Sequence, residues 1–290
     1  MNIPQWLCAV LVSLFHPTLL AAVLTIAPGD NVQVILDSSH DGDTVVLESG
    51  TYTGNFHVRQ RITLQGKIGA TIDAQGIDNG LTLYNSNITI ENLTIRNWGD
   101  DLTEQNAAIY SDKTSENLTI RNNHLQGDGF GMWLQRASHL LVEKNTVIGN
   151  PQLRSADRGN GIQLSAVKHA LVRNNTVSHT RDGLYVISSQ ESELRNNTMH
   201  DLRYGIHYMY SHNNRVLNNT AYNTRAGFAL MSSRNLVVHG NQSRDSEDYG
   251  MLMNFITQSD ISHNLFKNVW TKPENKVIGR EGKGLFVYNS

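Results

Sequence analysis

Cysteine, proline and charged runs are scarce in this 290-residue sequence. It has one cysteine, Cys8, and five prolines, and its 24 basic and 26 acidic residues give a formal net charge of −2. This balance, without an uninterrupted run of one sign, argues against nucleic acid or an anionic membrane as a partner bound through bulk charge. If Cys8 is removed with a leader, no disulfide or thiolate site can form. A soft metal would then have to be bound by methionine and histidine.

The first 22 residues differ from the rest and have the pattern of a secretion signal. Residues 6–20 form an apolar run without charge, and Ala21 and Ala22 after it suit a signal-peptidase site. The run is short for a membrane span. Because no Lys or Arg precedes it, a buried N-terminal strand remains the alternative. The pattern predicts a signal peptide over residues 1–22 and an exported, soluble domain over residues 23–290.

A repeat with a period near 22 residues occupies most of the remaining chain. Glycines recur at positions 131, 161, 183, 205, 227 and 250. An asparagine stands fourteen residues after each glycine, at positions 145, 175, 197, 219, 241 and 264. The residue eleven positions after each glycine is always Val, Leu or Ile. Such regular spacing indicates a solenoid built from stacked coils.

Each period holds short runs of alternating apolar and polar residues separated by Gly and Asn, which excludes helices. The pattern predicts an all-β fold, a right-handed parallel β-helix of roughly 22-residue coils with about three strands in each. A leucine-rich horseshoe is disfavoured, since the leucine spacing and the helical half-repeat are missing. We expect the recurring asparagines to adopt the left-handed conformation and to hydrogen-bond along the stack.

The solenoid has an N-terminal capping segment at residues 23–79 and coils at residues 80–290 in this interpretation. Insertions at residues 149–158 and 270–283 lengthen two coils, and such insertions usually project towards a binding face. Residues 284–290 read as the first strand of a further coil. We therefore expect the sequence to be truncated at its C-terminus.

The strand after each repeat glycine assigns side chains to two faces, because side chains alternate along a strand. Positions one and three after the glycine are almost always apolar and are predicted to face the core, among them Ile206, Tyr208, Met251 and Met253. Positions two and four are mixed and are predicted to face outward.

Three soft donors fall on this outward face. His207 and Met209 share one strand, and Met231 lies beside Met209 on the next rung. Adjacent rungs are about 4.8 Å apart, so an imidazole and two thioethers could bind Cu(I) together. The alternative is an exposed apolar stripe covered by a loop or a partner.

A column of arginines precedes three successive glycines. Arg181, Arg203 and Arg225 each stand two residues before a repeat glycine. Like charges stacked in this way repel unless they are paired, and Asp157, Asp182 and Asp201 are available as partners. The column is either a structural set of ion pairs or a surface that binds an anion or a partner.

Several motifs together resemble the NosD family of periplasmic copper-processing proteins. They are residues 154–162, 181–183, 203–211 (RYGIHYMYS) and 229–233. The resemblance implies a periplasmic, non-enzymatic protein that serves the maturation of the copper centres of nitrous oxide reductase. The implied partners are an ABC-type ATPase with its membrane permease, a copper chaperone and nitrous oxide reductase, and the implied cargo is copper, as transient Cu(I), or sulfur.

An enzyme or binding protein for acidic polysaccharides is the competing hypothesis. Tyr185, His207 and the arginine column could imitate the base and the charge neutralisation of a uronate lyase or epimerase. However, no two aspartates can be placed on one stripe for glycoside hydrolysis, and no aspartate cluster for Ca²⁺ accompanies them.

Overall fold

The computed structural model describes residues 21–112, 114–277 and 282–290. It shows a right-handed parallel β-solenoid of about eleven turns, which confirms the predicted fold class. The predicted signal peptide lies almost entirely outside the described residues, as does Cys8.

Three stacks of parallel strands form the sides of the solenoid. The first stack comprises β1 (Val23–Ile26), β2 (Thr44–Leu47), β5 (Thr63–Gly66), β8 (Thr89–Glu91), β12 (Thr119–Arg121), β16 (Leu141–Glu143), β19 (Leu171–Arg173), β22 (Glu193–Arg195), β24 (Arg215–Leu217), β26 (Val237–His239) and β29 (Asp260–Ser262). The second comprises β3 (Gly50–Thr53), β6 (Ala70–Asp73), β9 (Thr94–Arg96), β13 (His124–Gln126), β17 (Thr146–Ile148), β20 (Thr176–Ser178), β27 (Gln242–Arg244) and β30 (Leu265–Lys267). The third comprises β4 (Phe56–Val58), β7 (Leu81–Leu83), β10 (Ala107–Ser111), β14 (Phe130–Gln135), β18 (Ile162–Ser165), β21 (Asp182–Ile187), β28 (Tyr249–Thr257) and β31 (Lys283–Tyr288).

Two long strands belong to both the second and the third stack. They are β23 (Thr198–Met209) and β25 (Thr220–Arg234), which continue through the corner between the two sides. A short pair, β11 (Ser115–Glu116) with β15 (Ala137–Ser138), lies elsewhere, and two 3₁₀ turns fall in the insertions, at Ser155–Asp157 and Pro273–Asn275.

The helix α1 (Val32–Ser38) lies at the N-terminal end of the core, where it buries Val32 and Leu36. The Asn31 side chain caps it by accepting a hydrogen bond from the Val34 amide. Strands β1 and β2 pair with each other, and β2 pairs with β5, so residues 23–79 hold both this helix and strands of the stack.

The core is one continuous cluster of apolar side chains from successive rungs. Ile206 and Tyr208 are fully buried in it, as are Met251 and most of Met253, which matches the predicted alternation of faces. Burial raises the pKa of the Tyr208 hydroxyl far above its ordinary value. The stack gains stability from this shared apolar interior, since no single coil can bury its inner face alone.

The asparagines form a ladder, but their conformation differs from our expectation. The Asn197 backbone amide and Nδ2 both donate to Oδ1 of Asn219, at 3.0 and 2.9 Å, and Asn219 donates to Asn241 in the same way. The left-handed conformation belongs to the residue before each of them, such as Asn196 (φ 55°) and Asn218 (φ 53°). The ladder also begins one coil earlier than predicted, at Asn123.

The repeat glycines are required by close approach. A Cβ on Gly205 would lie 2.6 Å from the Gly227 carbonyl oxygen and 2.7 Å from the Ala221 Cβ. Any side chain there would push adjacent rungs apart, which explains why this position is glycine in coil after coil.

Candidate functional site

The two methionines of the predicted metal site are direct neighbours. Met209 in β23 and Met231 in β25 are partners in the register of the parallel pair, and both are half-buried. The Tyr185 hydroxyl donates a hydrogen bond to Met209 Sδ at 3.3 Å. Burial, and then the negative charge of Asp182, raises the pKa of Tyr185, so its hydroxyl keeps its proton at neutral pH.

His207 lies on the same strand and is covered by neighbouring aromatic rings. It is outside the apolar core, yet it is only 7% exposed, because the rings of Tyr185 and Tyr204 meet it edge-on at centroid distances of 4.7 and 5.1 Å. Alternation along the strand assigns the face of a side chain and carries no information about neighbours that cover it. His207 thus lies outside the core, as its position on the strand predicts, but under the rings of Tyr185 and Tyr204.

The His207 ring is held in place by a carboxylate. Nδ1 lies 2.9 Å from Oδ2 of Asp182, to which it donates, and Nε2 is buried without a hydrogen-bond partner among the described residues. A histidine with one nitrogen fixed by a carboxylate and the other without a partner has the arrangement of a metal-ligating imidazole.

Asp182 is fully buried and also binds Arg203. The guanidinium donates from Nε to Oδ1 at 2.8 Å and from Nη2 to Oδ2 at 2.6 Å. Burial by itself raises the pKa of the Asp182 carboxyl, but the hydrogen bonds from His207 and Arg203 outweigh it and hold the pKa below its ordinary value. The carboxylate therefore stays charged and joins the arginine column to the histidine.

The arginine column is paired only in part with the aspartates that the sequence offered. Of the three aspartates named from the sequence, only Asp182 binds an arginine of the column, namely Arg203. Arg225 is bound instead by Asp248, at 2.6 Å. Asp157 and Asp201 have local partners instead, Arg154 and His200. Arg181 forms no ion pair, and its Nε is buried without a hydrogen-bond partner among the described residues.

The arginines line a cleft of about 890 Å³ at the corner between the second and third stacks. Both insertions reach it: Ser155, Ala156 and Arg158 come from the first, and Trp270 and Lys272 from the second. The remaining lining consists of Arg181, Asp201, Leu202, Arg203, Asn223, Thr224, Arg225, Asp245, Ser246, Glu247 and Asn268. We call this surface the corner cleft.

Metal ligands of the common kinds are not clustered in the part of the chain that the structure describes. There, no group of three or more His, Cys, Asp or Glu side chains could hold a metal ion. A site at the His207 rung therefore depends on the thioethers. In the same ranges, no helix is long and apolar enough to cross a membrane.

Comparison with family models and curated proteins supports the resemblance to the NosD family that the sequence motifs indicated. A model described as "Periplasmic copper-binding protein (NosD)" matches residues 149–290, and one described as a right-handed beta helix region matches residues 68–154. A "Probable ABC transporter binding protein NosD" of Pseudomonas aeruginosa is 52% identical over 246 residues, which are 84% of this chain and 58% of that protein. The chain belongs to the NosD family.

A second family member gives the same result. The protein of the same name from Stutzerimonas stutzeri is 44% identical over 84% of this chain and 57% of its own length. The chain thus spans a little more than half the length of these relatives.

Solved structures match the fold. An alginate lyase from Paenibacillus superposes with a TM-score of 0.66 at 14% identity, over 85% of this chain and 99% of the lyase. At that identity the likeness shows the β-helix alone.

Proposed function

We propose that this NosD family member is a periplasmic accessory protein for maturation of the copper centres of nitrous oxide reductase. In this role it handles copper together with an ABC transporter and a copper chaperone, and it is a binding protein without catalytic activity. The family's description as periplasmic and copper-binding supports the compartment and the cargo, and the relatives' name supports the transporter partner.

The copper site proposed for this role consists of His207, Met209 and Met231. One observation carries it: two methionines lie side by side on adjacent rungs, beside an imidazole whose Nδ1 is fixed by Asp182 and whose Nε2 lacks a partner among the described residues. Thioether and imidazole donors favour Cu(I) over Zn²⁺ or Ca²⁺, which prefer harder or charged ligands. The same chemistry favours copper over sulfur as the cargo.

The burial of His207 assigns different tasks to the three ligands. Met209 and Met231 are half-buried, so they receive the ion first, while His207 lies under Tyr185 and Tyr204. A site with an accessible thioether pair and a covered imidazole suits transient binding, because the ion can leave through the methionine side.

Competition for Cu(I) against a chromogenic chelator tests this site. Met209→Leu and Met231→Leu keep the volume and remove the sulfur, so we expect the double variant to lose at least tenfold in Cu(I) affinity, about 1.4 kcal/mol. Met253→Leu is the matched control, since Met253 faces the core. Equal Cu(I) affinity of the double variant and this control would reject the assignment.

The competing hypothesis of a uronate lyase, epimerase or binding protein retains one supporting feature, the basic corner cleft with Trp270 at its rim. Incubation with polyuronates, followed by absorbance of unsaturated product, tests the lyase form. Turnover that is lost in Tyr185→Phe would replace the copper proposal.

A further inference from the structure

We propose that the corner cleft binds an extended acidic segment of a partner protein. This binding is independent of copper, and it goes beyond the handling of the ion. Its basis is a set of unpaired cationic groups, two rows of complementary hydrogen-bonding groups and one exposed indole.

Three of the five cationic groups of the cleft have no ion-pair partner of their own among the described residues, and the carboxylates Asp201, Asp245 and Glu247 also line it. Arg203 and Arg225 have carboxylate partners, but Arg158, Arg181 and Lys272 form no ion pair within the described ranges. Arg158 donates to the carbonyl oxygens of Pro151 and Leu153, which orders its insertion without compensating its charge. Arg181 keeps a buried Nε–H without an acceptor. A buried donor of this kind costs free energy unless a ligand satisfies it.

Two parallel rows of polar side chains run along the cleft. One row is Asp201, Asn223, Asp245 and Asn268, in which Asn268 donates to Asp245 at 3.0 Å. The other row is Arg181, Arg203 and Arg225, whose backbones follow one another rung by rung. The first row offers oxygen acceptors, and in the second row Arg181 is the arginine whose guanidinium is not already bound by a carboxylate of the described residues.

An extended acidic peptide satisfies both rows. Its main-chain N–H groups can donate to the Asp and Asn oxygens, while one of its carboxylates can accept paired hydrogen bonds from Arg181. From Arg181 to Lys272 the cleft crosses about four rungs at ~4.8 Å each, roughly the length of six extended residues. Its volume lies within the usual range of ligand clefts.

Trp270 gives the cleft an apolar anchor. Its side chain is 57% exposed, and it makes no ring contact with the described aromatic residues. Tryptophan and arginine are the residues most enriched at the energetic centres of protein interfaces. An exposed indole beside an arginine row is therefore the composition of a peptide-binding surface.

Binding of a labelled peptide to the metal-free full chain tests the proposal. The probe is an eight-residue peptide with Glu at alternate positions, its counterpart carries Gln, and the readout is fluorescence anisotropy. We expect the Glu peptide to bind at least tenfold more tightly than the Gln peptide, as paired arginine–carboxylate hydrogen bonds require. We also expect Arg181→Gln and Trp270→Ala each to weaken it about five- to tenfold.

The matched control is Arg215→Gln, which removes an exposed arginine from the first stack and should change the affinity by less than about twofold. Equal binding of the two peptides, or equal losses in Arg181→Gln and Arg215→Gln, would overturn the proposal. Tighter, Arg181-dependent binding of an oligouronate would overturn it as well, because the occupant would then be a saccharide. None of these outcomes depends on the Cu(I) titration.

Discussion

Two columns of charged residues on different sides of the solenoid follow opposite rules. In the first stack, Glu91, Arg121, Glu143 and Arg173 succeed one another in register, and the pairs Arg121–Glu91 and Arg173–Glu143 are 2.5 and 2.7 Å apart. At the corner cleft, Arg181, Arg203 and Arg225 repeat one sign. Over these four rungs the first column neutralises itself, and only Arg195, which follows Arg173 in the register, pairs with Glu193 from another position. The second column needs Asp182 and Asp248 from other positions.

We propose that the difference separates a structural column from one that serves binding. Two unit charges ~5–7 Å apart repel by about 2–3 kcal/mol at an effective dielectric constant of 20. A column of like charges therefore carries an electrostatic repulsion that a column of alternating charges does not have. Asp182 offsets part of this repulsion, because it is a buried carboxylate bound by both Arg203 and His207.

The largest effect is expected for Asp182→Asn. The substitution keeps the shape but leaves Arg203 and His207 facing an amide, and removing one partner of a buried ion pair costs about 3 kcal/mol. Denaturant unfolding should show this loss in the free energy of unfolding. A loss below about 1 kcal/mol would mean that the buried pair of Asp182 with Arg203 does not stabilise the fold.

A smaller effect is expected for Glu143→Gln in the alternating column. Glu143 accepts from Arg173, whose side chain is 31% exposed, so solvent replaces much of the lost interaction. We expect a loss of about 1 kcal/mol in the same unfolding experiment. Double-mutant cycles with Arg203→Gln and Arg173→Gln should give the larger coupling energy for the Asp182 pair; equal couplings would remove the distinction between the columns.

The smallest effect is expected for Arg181→Gln. Because Arg181 has no ion pair and stands one rung from Arg203, removing its charge should change the free energy of unfolding by less than about 0.5 kcal/mol in either direction. Thermal or denaturant unfolding measures this. A loss above about 1 kcal/mol would show that Arg181 is a structural residue, and its role in peptide binding would lose its main argument.

The sequence was sufficient for those features that depend on register alone. The 22-residue spacing predicted the stacked coils, the core positions of Ile206 and Tyr208, and the neighbouring positions of Met209 and Met231. These follow because parallel rungs in register turn sequence spacing directly into spatial columns.

Features that depend on side-chain direction at the corners could not be predicted in the same way. Asp182 immediately precedes a repeat glycine, and no periodicity shows that it reaches both Arg203 and His207 in the next coil. The cover over His207 by Tyr204, and the partner of Arg225, are likewise set by the bend of the chain. One signal was available: among the repeat glycines from Gly161 onward, only Gly183 and Gly250 follow an acidic residue within two positions, and these residues are Asp182 and Asp248.

The asparagine ladder has a consequence for how such a protein can vary. Its hydrogen bonds continue without interruption from Asn145 to Asn175 across a coil of 30 residues, and from Asn241 to Asn264 across one of 23. Extra residues are thus accommodated in loops while the rungs keep their spacing. The first insertion beside the corner cleft can therefore be lengthened, exchanged or labelled, and Met209 and Met231 will still lie side by side at the distance of one rung.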